Sequence, residues 1–251
     1  MKSKKKERVG EIHISNQCES VRIIDYISAR NCTIIVNEKY ILYNRTYTNI
    51  KSGSIKNPYL KNVYGVGYMG EGDYKSIIDG VVTKYYKSWG SALQRSYDDK
   101  LHKKYPTYIG CSVNSEWHNF QNFAKWYEEN WKPHMEGWHL DKDVLIKGNK
   151  IYSPENCCFV PLEINKLLTK RQSCRGELPL GVSRRNGRFD AKIRVENKLI
   201  HLGMFNTPEE AFQAYKVAKE THIKEVAEIW KPKLAPKTYE ALINYQVEIT
   251  D

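Results

Sequence analysis

The first apolar runs are short and β-branched. Val21-Arg22-Ile23-Ile24-Asp25-Tyr26-Ile27 and Thr33-Ile34-Ile35-Val36 predict two strands separated by Ser28-Ala29-Arg30-Asn31. Tyr40-Ile41-Leu42-Tyr43 predicts a further strand after a turn at Asn37-Glu38. Three or four short strands imply a small SH3-like or barrel module, which Lys51-Ser52-Gly53-Ser54 and Asn57-Pro58 bring to an end. The period then lengthens. Tyr85, Trp89, Leu93 and Tyr97 lie at helical spacing, with Lys87 and Arg95 on other faces. Trp117, Phe120, Phe123 and Ala124 repeat the pattern on a segment starting near Ser115, an expected N-cap before Glu116. Both aromatic stripes are expected to make core.

Past these helices the pattern breaks into short pieces. Leu140-Asp141 and Lys150-Ile151-Tyr152 predict two strands joined through Lys147-Gly148-Asn149. Ser153-Pro154-Glu155-Asn156 predicts a turn, and Leu162 to Leu168 a short helix. Alternation returns after Leu178. Asn186-Gly187 between two alternating segments is a type I′ hairpin signal. Glu196-Asn197-Lys198 predicts another turn, and Leu199 to Gly203 a third strand. Thr207-Pro208-Glu209-Glu210 then opens a helix, with Thr207 as N-cap, Pro208 as first helical residue and Glu210 as the capping-box partner. Ala211, Ala214, Tyr215 and Ala218 form a small-residue stripe able to lie flat on a sheet. Trp230-Lys231-Pro232 and Ala235-Pro236 interrupt, and a last short helix beginning at Lys237-Thr238-Tyr239 is expected to lid the core.

Composition narrows the function. The chain has 251 residues, room for one large domain or two to three small ones. A net charge of +11 favours a polyanionic partner, with simple solubility as the alternative. Eighteen Tyr and six Trp among the basic residues move the balance towards nucleic acid. No apolar run approaches the ~20 residues of a membrane helix. The basic start, Met1 to Arg8, has no apolar segment behind it and reads as a solvated tail rather than a secretory signal. Cys18, Cys32, Cys111, Cys157, Cys158 and Cys174 contain no C-x-x-C pair, which argues against a zinc ribbon. They read as reduced thiols of a cytoplasmic protein, the adjacent Cys157 and Cys158 as packing residues. Gly65, Gly67, Gly70 and Gly72 suggest a phosphate loop, but no Gly-Lys-Ser/Thr follows, and tight turns explain them better.

The strand–strand–helix order over residues 140–168 is a ββα-metal arrangement. Asp141, at the end of the first strand, can face Asn165 on the helix. A carboxylate and an amide oxygen are hard ligands that suit one Mg²⁺ or Mn²⁺ ion rather than zinc. Such an ion can hold a phosphate and stabilise a leaving oxygen. Trp138-His139-Leu140-Asp141-Lys142-Asp143 with Tyr152-Ser153-Pro154-Glu155-Asn156-Cys157 resembles the HNH homing-type endonucleases of phages, and Trp89, Leu93-Gln94-Arg95, Glu116-Trp117 and Phe120-Gln121-Asn122-Phe123 resemble their lead-in helices. The likeness covers about Tyr85 to Leu168. It implies Asp141 and Asn165 as metal ligands and Asn156 as the residue that orients the loop carrying the base. The family signature has Asp-His where this chain has Asp141-Lys142. A protonated Lys takes no proton from water unless its pKa falls by several units. His139, two residues before Asp141 and on the same face of a strand, is the candidate displaced base; the alternative is an ordinary half-buried histidine. His134 and His118 are weaker candidates.

The C-terminal part carries a second resemblance. Gly181-Val182, Gly187-Arg188-Phe189, Ala191, Ile193-Arg194, Leu202-Gly203, Phe205, Thr207, Glu209-Glu210-Ala211, Ala214-Tyr215 and Ala218 resemble the AP2 domain, three antiparallel strands against one helix. Such sheets enter the major groove of double-stranded DNA. Arg184, Arg188, Lys192 and Arg194 are expected to alternate toward one side and contact DNA; Arg185 depends on the hairpin register. Leu180 and Phe189 depart from the family's usual Arg and Trp, so its specificity does not transfer.

The expectation is therefore an α+β chain: a small β module over residues 1–60, an HNH-like ββα-metal domain over 61–172, and an AP2-like domain with a helical extension over 173–251. The expected function is sequence-directed, Mg²⁺-dependent (or Mn²⁺-dependent) cleavage of duplex DNA in the cytoplasm, that of a bacterial host if the chain is phage-encoded. No small-molecule cofactor and no membrane are implied. The alternative is a nuclease-inactive DNA-binding regulator or counter-defence protein, and a host-protein partner is a third option.

Overall fold

The computed structural model describes residues 8–17, 19–169, 177–196 and 198–249. The expectations for Met1 to Glu7, Cys18, Cys174 and Asn197 fall outside them. The fold is mixed α+β and divides into two compact units: residues 1–75 with 118–121, and residues 76–117 with 122–251.

The first unit holds a four-stranded antiparallel meander: β1 (Ile12–Ile14), β2 (Ser20–Ser28), β3 (Asn31–Val36) and β4 (Tyr40–Arg45), in that spatial order. Val21 and Ile23 alternate inward from β2, and Cys32, Ile34 and Val36 from β3. With Leu42, Ile50 and Ile55 they make one buried cluster. Asn37 and Glu38 both have positive φ, as the central residues of a turn closed by the Lys39 amide donating to the Val36 carbonyl at 3.1 Å. A short helix α1 (Tyr47–Lys51) is capped by the Thr46 hydroxyl, which accepts from the Asn49 amide. The Glu19 carboxylate accepts from the amide groups of Asn37 and Asn57, which ties the loop after α1 back to the sheet. In the glycine-rich stretch Gly65 lies in a turn with positive φ, Gly67 bridges Val63 and Gly72 lies in a bend. At Gly72 any side chain would meet Gln121, whose Oε1 lies 2.3 Å from where a Cβ would stand. That close approach lets the Gln121 amide bond to the carbonyls of Met69 and Tyr74 and accept from the Tyr74 amide.

The second unit begins with a hairpin of β5 (Ile77–Ile78) and β6 (Val81–Val82), followed by α2 (Lys84–Tyr97) and α3 (Asp99–Lys104). Trp89 and Leu93 are buried on α2, and the Trp89 indole donates to the Trp117 carbonyl at 2.6 Å. After β7 (Ser112–Val113), Ser115 does not cap an α-helix. Residues Ser115–His118 form a single 3₁₀ turn whose Glu116 amide is taken by the Asn114 side chain, and α4 (Phe120–Asn130) starts afresh beyond it. Trp117 still packs on Phe123 and Trp126, so the aromatic stripe makes core as expected.

The strand pairing of the central motif differs from expectation. β8 (His139–Asp141) pairs antiparallel with β10 (Cys158–Val160), while β9 (Ile151–Tyr152) pairs in parallel with β7. Burial explains the exchange. All three residues of β10 are buried, so it takes the interior place beside β8, whereas Ile151 is exposed. The helix α5 (Leu162–Leu168) follows, and the ββα order is built from β8, β10 and α5.

A three-stranded antiparallel sheet of β11 (Val182–Arg185), β12 (Arg188–Val195) and β13 (Lys198–Phe205) then leads into the long helix α6 (Pro208–Trp230) and α7 (Pro236–Ile243). Asn186 and Gly187 have positive φ, and the Thr207–Glu210 capping box is formed in both directions. The α6 stripe approaches the sheet so closely that a Cβ at Gly181 would lie 2.0 Å from the Tyr215 ring. Residues on both sides of 172 share one core: Val144, Val160 and Ile164 with Ile193, Phe212 and Leu242. The Trp230 indole donates to Glu163 on α5 at 2.7 Å, which pins the end of α6 to the ββα segment. Cys157 and Cys158 are buried free thiols. Among the described residues no helix is long and apolar enough to cross a membrane.

Candidate functional site

A cleft of about 390 Å³ opens where β8 ends. Asp141, Lys142 and Asn165 line it, together with Asp143, Tyr152, and the basic side chains Arg95, Lys147 and Lys150. The two expected metal ligands are thus brought to one cavity by β8 and α5. Asp141 faces the opening of a loop that it also organises. Its Oδ1 accepts from the amides of Asp143 (2.8 Å) and Val144 (3.0 Å). Burial, with the Asp143 carboxylate beside it, pushes the Asp141 carboxyl up to about 6. A bound cation would relieve both costs. Among the described residues no three His, Cys, Asp or Glu side chains converge, so a cation here would take protein oxygens from Asp141 and Asn165 and fill its sphere with water. That donor set suits Mg²⁺, which keeps several waters.

Lys142 stands where the resemblance implies a base, and its side chain is already committed. It is 8% exposed. Its ammonium donates to the Asn149 carbonyl at 3.0 Å, lies 3.3 Å from Asp143 and sits 5.8 Å from the centre of the Tyr152 ring. The loop it closes is held from the other side by Asn149, whose amide donates to the carbonyls of Lys142 (2.6 Å) and Ile151 (2.8 Å). Asn156 reaches this loop more weakly, its Nδ2 3.5 Å from Asn149 Oδ1. The sequence singled out Asn156 as the orienting residue; Asn149 makes the shorter bonds. The signal for it was the Lys147-Gly148-Asn149 turn itself, since Asn folds back on its own backbone.

His139 shares the strand face of Asp141, opposite Val160, but is not among the residues that line the cleft. His134 turns away to the Lys233 carbonyl, and His118 belongs to the first unit. Arg95 was missed as a site residue because its helical spacing placed it merely off the core stripe. It lies in the cleft with its guanidinium 5.6 Å from the Tyr108 ring centre and hydrogen-bonded to Tyr152.

The second candidate surface is the sheet face away from α6. Val182, Ala191, Ile193 and Val195 point to the core, so the alternate positions point outward. Arg185 pairs with Arg188 in the register, and both fall on the outer face with Lys192 and Arg194. Arg184 does not. It pairs with Phe189, shares the face of Val182, and its guanidinium lies 5.3 Å from the Phe189 ring centre. Arg184 therefore leaves the side on which it was expected, and the register left open for Arg185 places that residue there, because a shift of one residue exchanges faces. Arg188 is partly used within the sheet, donating to the Met204 carbonyl at 3.0 Å. At the centre of the face sits Asp190, fully buried under Lys192 (2.6 Å) and His201 (2.9 Å). The Lys192 ammonium holds the Asp190 carboxyl below its usual range. This triad was not foreseen, because His201 and Asp190 meet only across the β12–β13 pairing.

No family model, curated protein or solved structure matches the chain.

Proposed function

We propose that the protein is a DNA endonuclease of the HNH type: one Mg²⁺ ion held by Asp141 and Asn165 at the cleft, and an AP2-like sheet, presenting Arg185, Arg188, Lys192 and Arg194, that binds duplex DNA. The observation that carries this is that Asp141 from β8 and Asn165 from α5 line one cleft together with four basic side chains. When bound, the ion would polarise a phosphodiester oxygen and stabilise the leaving alkoxide. The chain's own part is to keep Asp141 in place through its two loop amides and to surround the phosphate with positive charge. The net charge of +11 supports a polyanionic partner for the whole chain. The test is incubation with a broad set of duplexes with and without Mg²⁺. Mg²⁺-dependent nicks that vanish in Asp141→Ala support cleavage; no cutting by the wild type in any metal sinks it.

A second reading has its own support. Lys142 is turned into the loop and, among the described residues, no histidine lines the cleft, so the histidine base of the HNH signature has no counterpart there. In that case the same surfaces serve a DNA-binding regulator or counter-defence protein that does not cut. Its mark is a DNA affinity unchanged by Asp141→Ala in a protein that leaves every duplex intact.

A further inference from the structure

The metal ligands leave the cleft's largest cation without a task. We propose that Arg95 is a phosphate anchor: its guanidinium binds a non-bridging oxygen of a DNA phosphodiester in the cleft, with Lys150 at its flank. The inference rests on the reading of the cleft as a DNA site, but not on cleavage.

Four basic side chains line the cleft, and their partners divide them. Lys142 has Asp143 at 3.3 Å, and Lys147 has Glu248 at 3.5 Å. Among the described residues, Arg95 and Lys150 have no carboxylate within 4.0 Å. Lys150 donates to the neutral Thr107 carbonyl at 2.6 Å. Arg95 is hydrogen-bonded to the neutral Tyr152 phenol and has its guanidinium 5.6 Å from the Tyr108 ring centre. Thr107 and Tyr108 are consecutive, so one short segment braces both unpaired cations on the same wall.

Burial works against the guanidinium charge, and buried charges are normally paired; here tyrosines offset that cost and no carboxylate does. The cleft holds two acids, Asp141 and Asp143, and neither is ion-paired with Arg95. What would settle the guanidinium is a mobile anion. Its planar fork matches two oxygens of one phosphate, and the hydrogen bond with Tyr152 holds the side chain in the cleft beforehand. α2 also explains why the side chain is held firmly. Trp89, Ala92, Leu93 and Ser96 bury the helix against the core on either side of Arg95, and the Arg95 carbonyl accepts from His102 at 2.8 Å.

The test uses the full chain and a fluorescently labelled duplex in EDTA, so that no metal and no cutting enter. Arg95→Gln is expected to raise the dissociation constant about tenfold and to reduce the slope of log Kd against log salt by about one. Arg95→Lys should recover part of the affinity, and added guanidinium ion should partly restore Arg95→Gln but not the wild type. A merely structural arginine would show neither the salt slope nor the rescue. Wild-type Kd and salt slope in a cooperatively folded Arg95→Gln overturn the anchor. Should that variant not fold, inorganic phosphate decides. At matched ionic strength it should raise the thermal midpoint of the wild type above that in chloride, and less so for Arg95→Lys; equal midpoints in the two salts overturn the proposal. Parallel assays with Mg²⁺ separate the two readings. Loss of affinity in a chain that never cuts keeps the anchor and removes cleavage, whereas cutting with undiminished affinity in Arg95→Gln does the reverse.

Discussion

Lys142 and Asn149 hold each other by both ends: the lysine ammonium donates to the Asn149 carbonyl at 3.0 Å, and the Asn149 side chain donates to the Lys142 carbonyl at 2.6 Å. The pair closes the loop that begins at the Asp141 carboxylate. Lys142→Met should therefore cost about 1–3 kcal/mol, the range for a hydrogen bond to a charged group, and Asn149→Ala a similar amount. The two losses should not add. A coupling energy of at least ~0.5 kcal/mol is expected from urea unfolding of both single variants and the double variant. Strict additivity would mean that the two bonds are independent and that Lys142 is free for another role.

Asp141 titrates in the opposite sense to a paired carboxylate. Its folded pKa, about 6, lies above its unfolded value, so its contribution to stability is fully present below the unfolded pKa and is lost as pH rises through 6. Asp141→Asn keeps an oxygen for the amides of Asp143 and Val144 and carries no charge. It should be more stable than wild type at pH 8, by at most about 3 kcal/mol for a shift of roughly two units, and no more stable at pH 4. Mg²⁺ at pH 8 should stabilise the wild type and leave Asp141→Asn unmoved. Urea midpoints at the two pH values check this; a gap of the same size at pH 4 and pH 8 would refute it.

Local chemistry was the most legible part of the sequence. Asn37-Glu38, Asn186-Gly187 and the Thr207–Glu210 box were all visible, because each depends on a few adjacent residues whose backbone preferences decide the outcome. Pairing between distant segments was not. Ile151-Tyr152 and Cys158-Phe159-Val160 are both short apolar runs, and what tells them apart is that every residue of the second is buried while Ile151 is exposed. Asp141, Lys142 and Asn165 could be named from spacing and likeness. Arg95 and Asp190 could not, because their partners lie on other elements, and no local pattern records that a side chain ends in a cleft.

Asp190 behaves as the ordinary acid case. Its ion pair with Lys192, aided by His201, holds its folded pKa below the unfolded value. The stability it contributes is present above the unfolded pKa, near 4, and is lost as pH falls through the lower folded value. Asp190→Asn should thus flatten the fall of stability below pH 4 and should free the Lys192 ammonium at neutral pH. Urea midpoints from pH 2 to 7 measure the first effect. An acid limb as steep in Asp190→Asn as in wild type would show that the pair does not act on folding.

Arg184 and Arg185 are neighbours in sequence and opposites in placement, which makes them a sharp test of the proposed DNA face. Arg185 stands on the outer face beside Arg188, Lys192 and Arg194, while Arg184 shares the face of Val182 and lies over the Phe189 ring. Removing either changes net charge by the same amount, so a nonspecific effect of charge would weaken DNA binding equally. A contact through the outer face would not. Arg185→Ala should weaken duplex binding about tenfold and lower the salt slope by about one, the mark of one lost phosphate contact. Arg184→Ala should change affinity less than threefold at the same salt, since it removes only long-range attraction, which is largely screened beyond about 8 Å at physiological ionic strength. Equal losses in the two variants would deny the sheet a specific docking face, and a larger loss at Arg184 would place the DNA on the edge of the sheet instead.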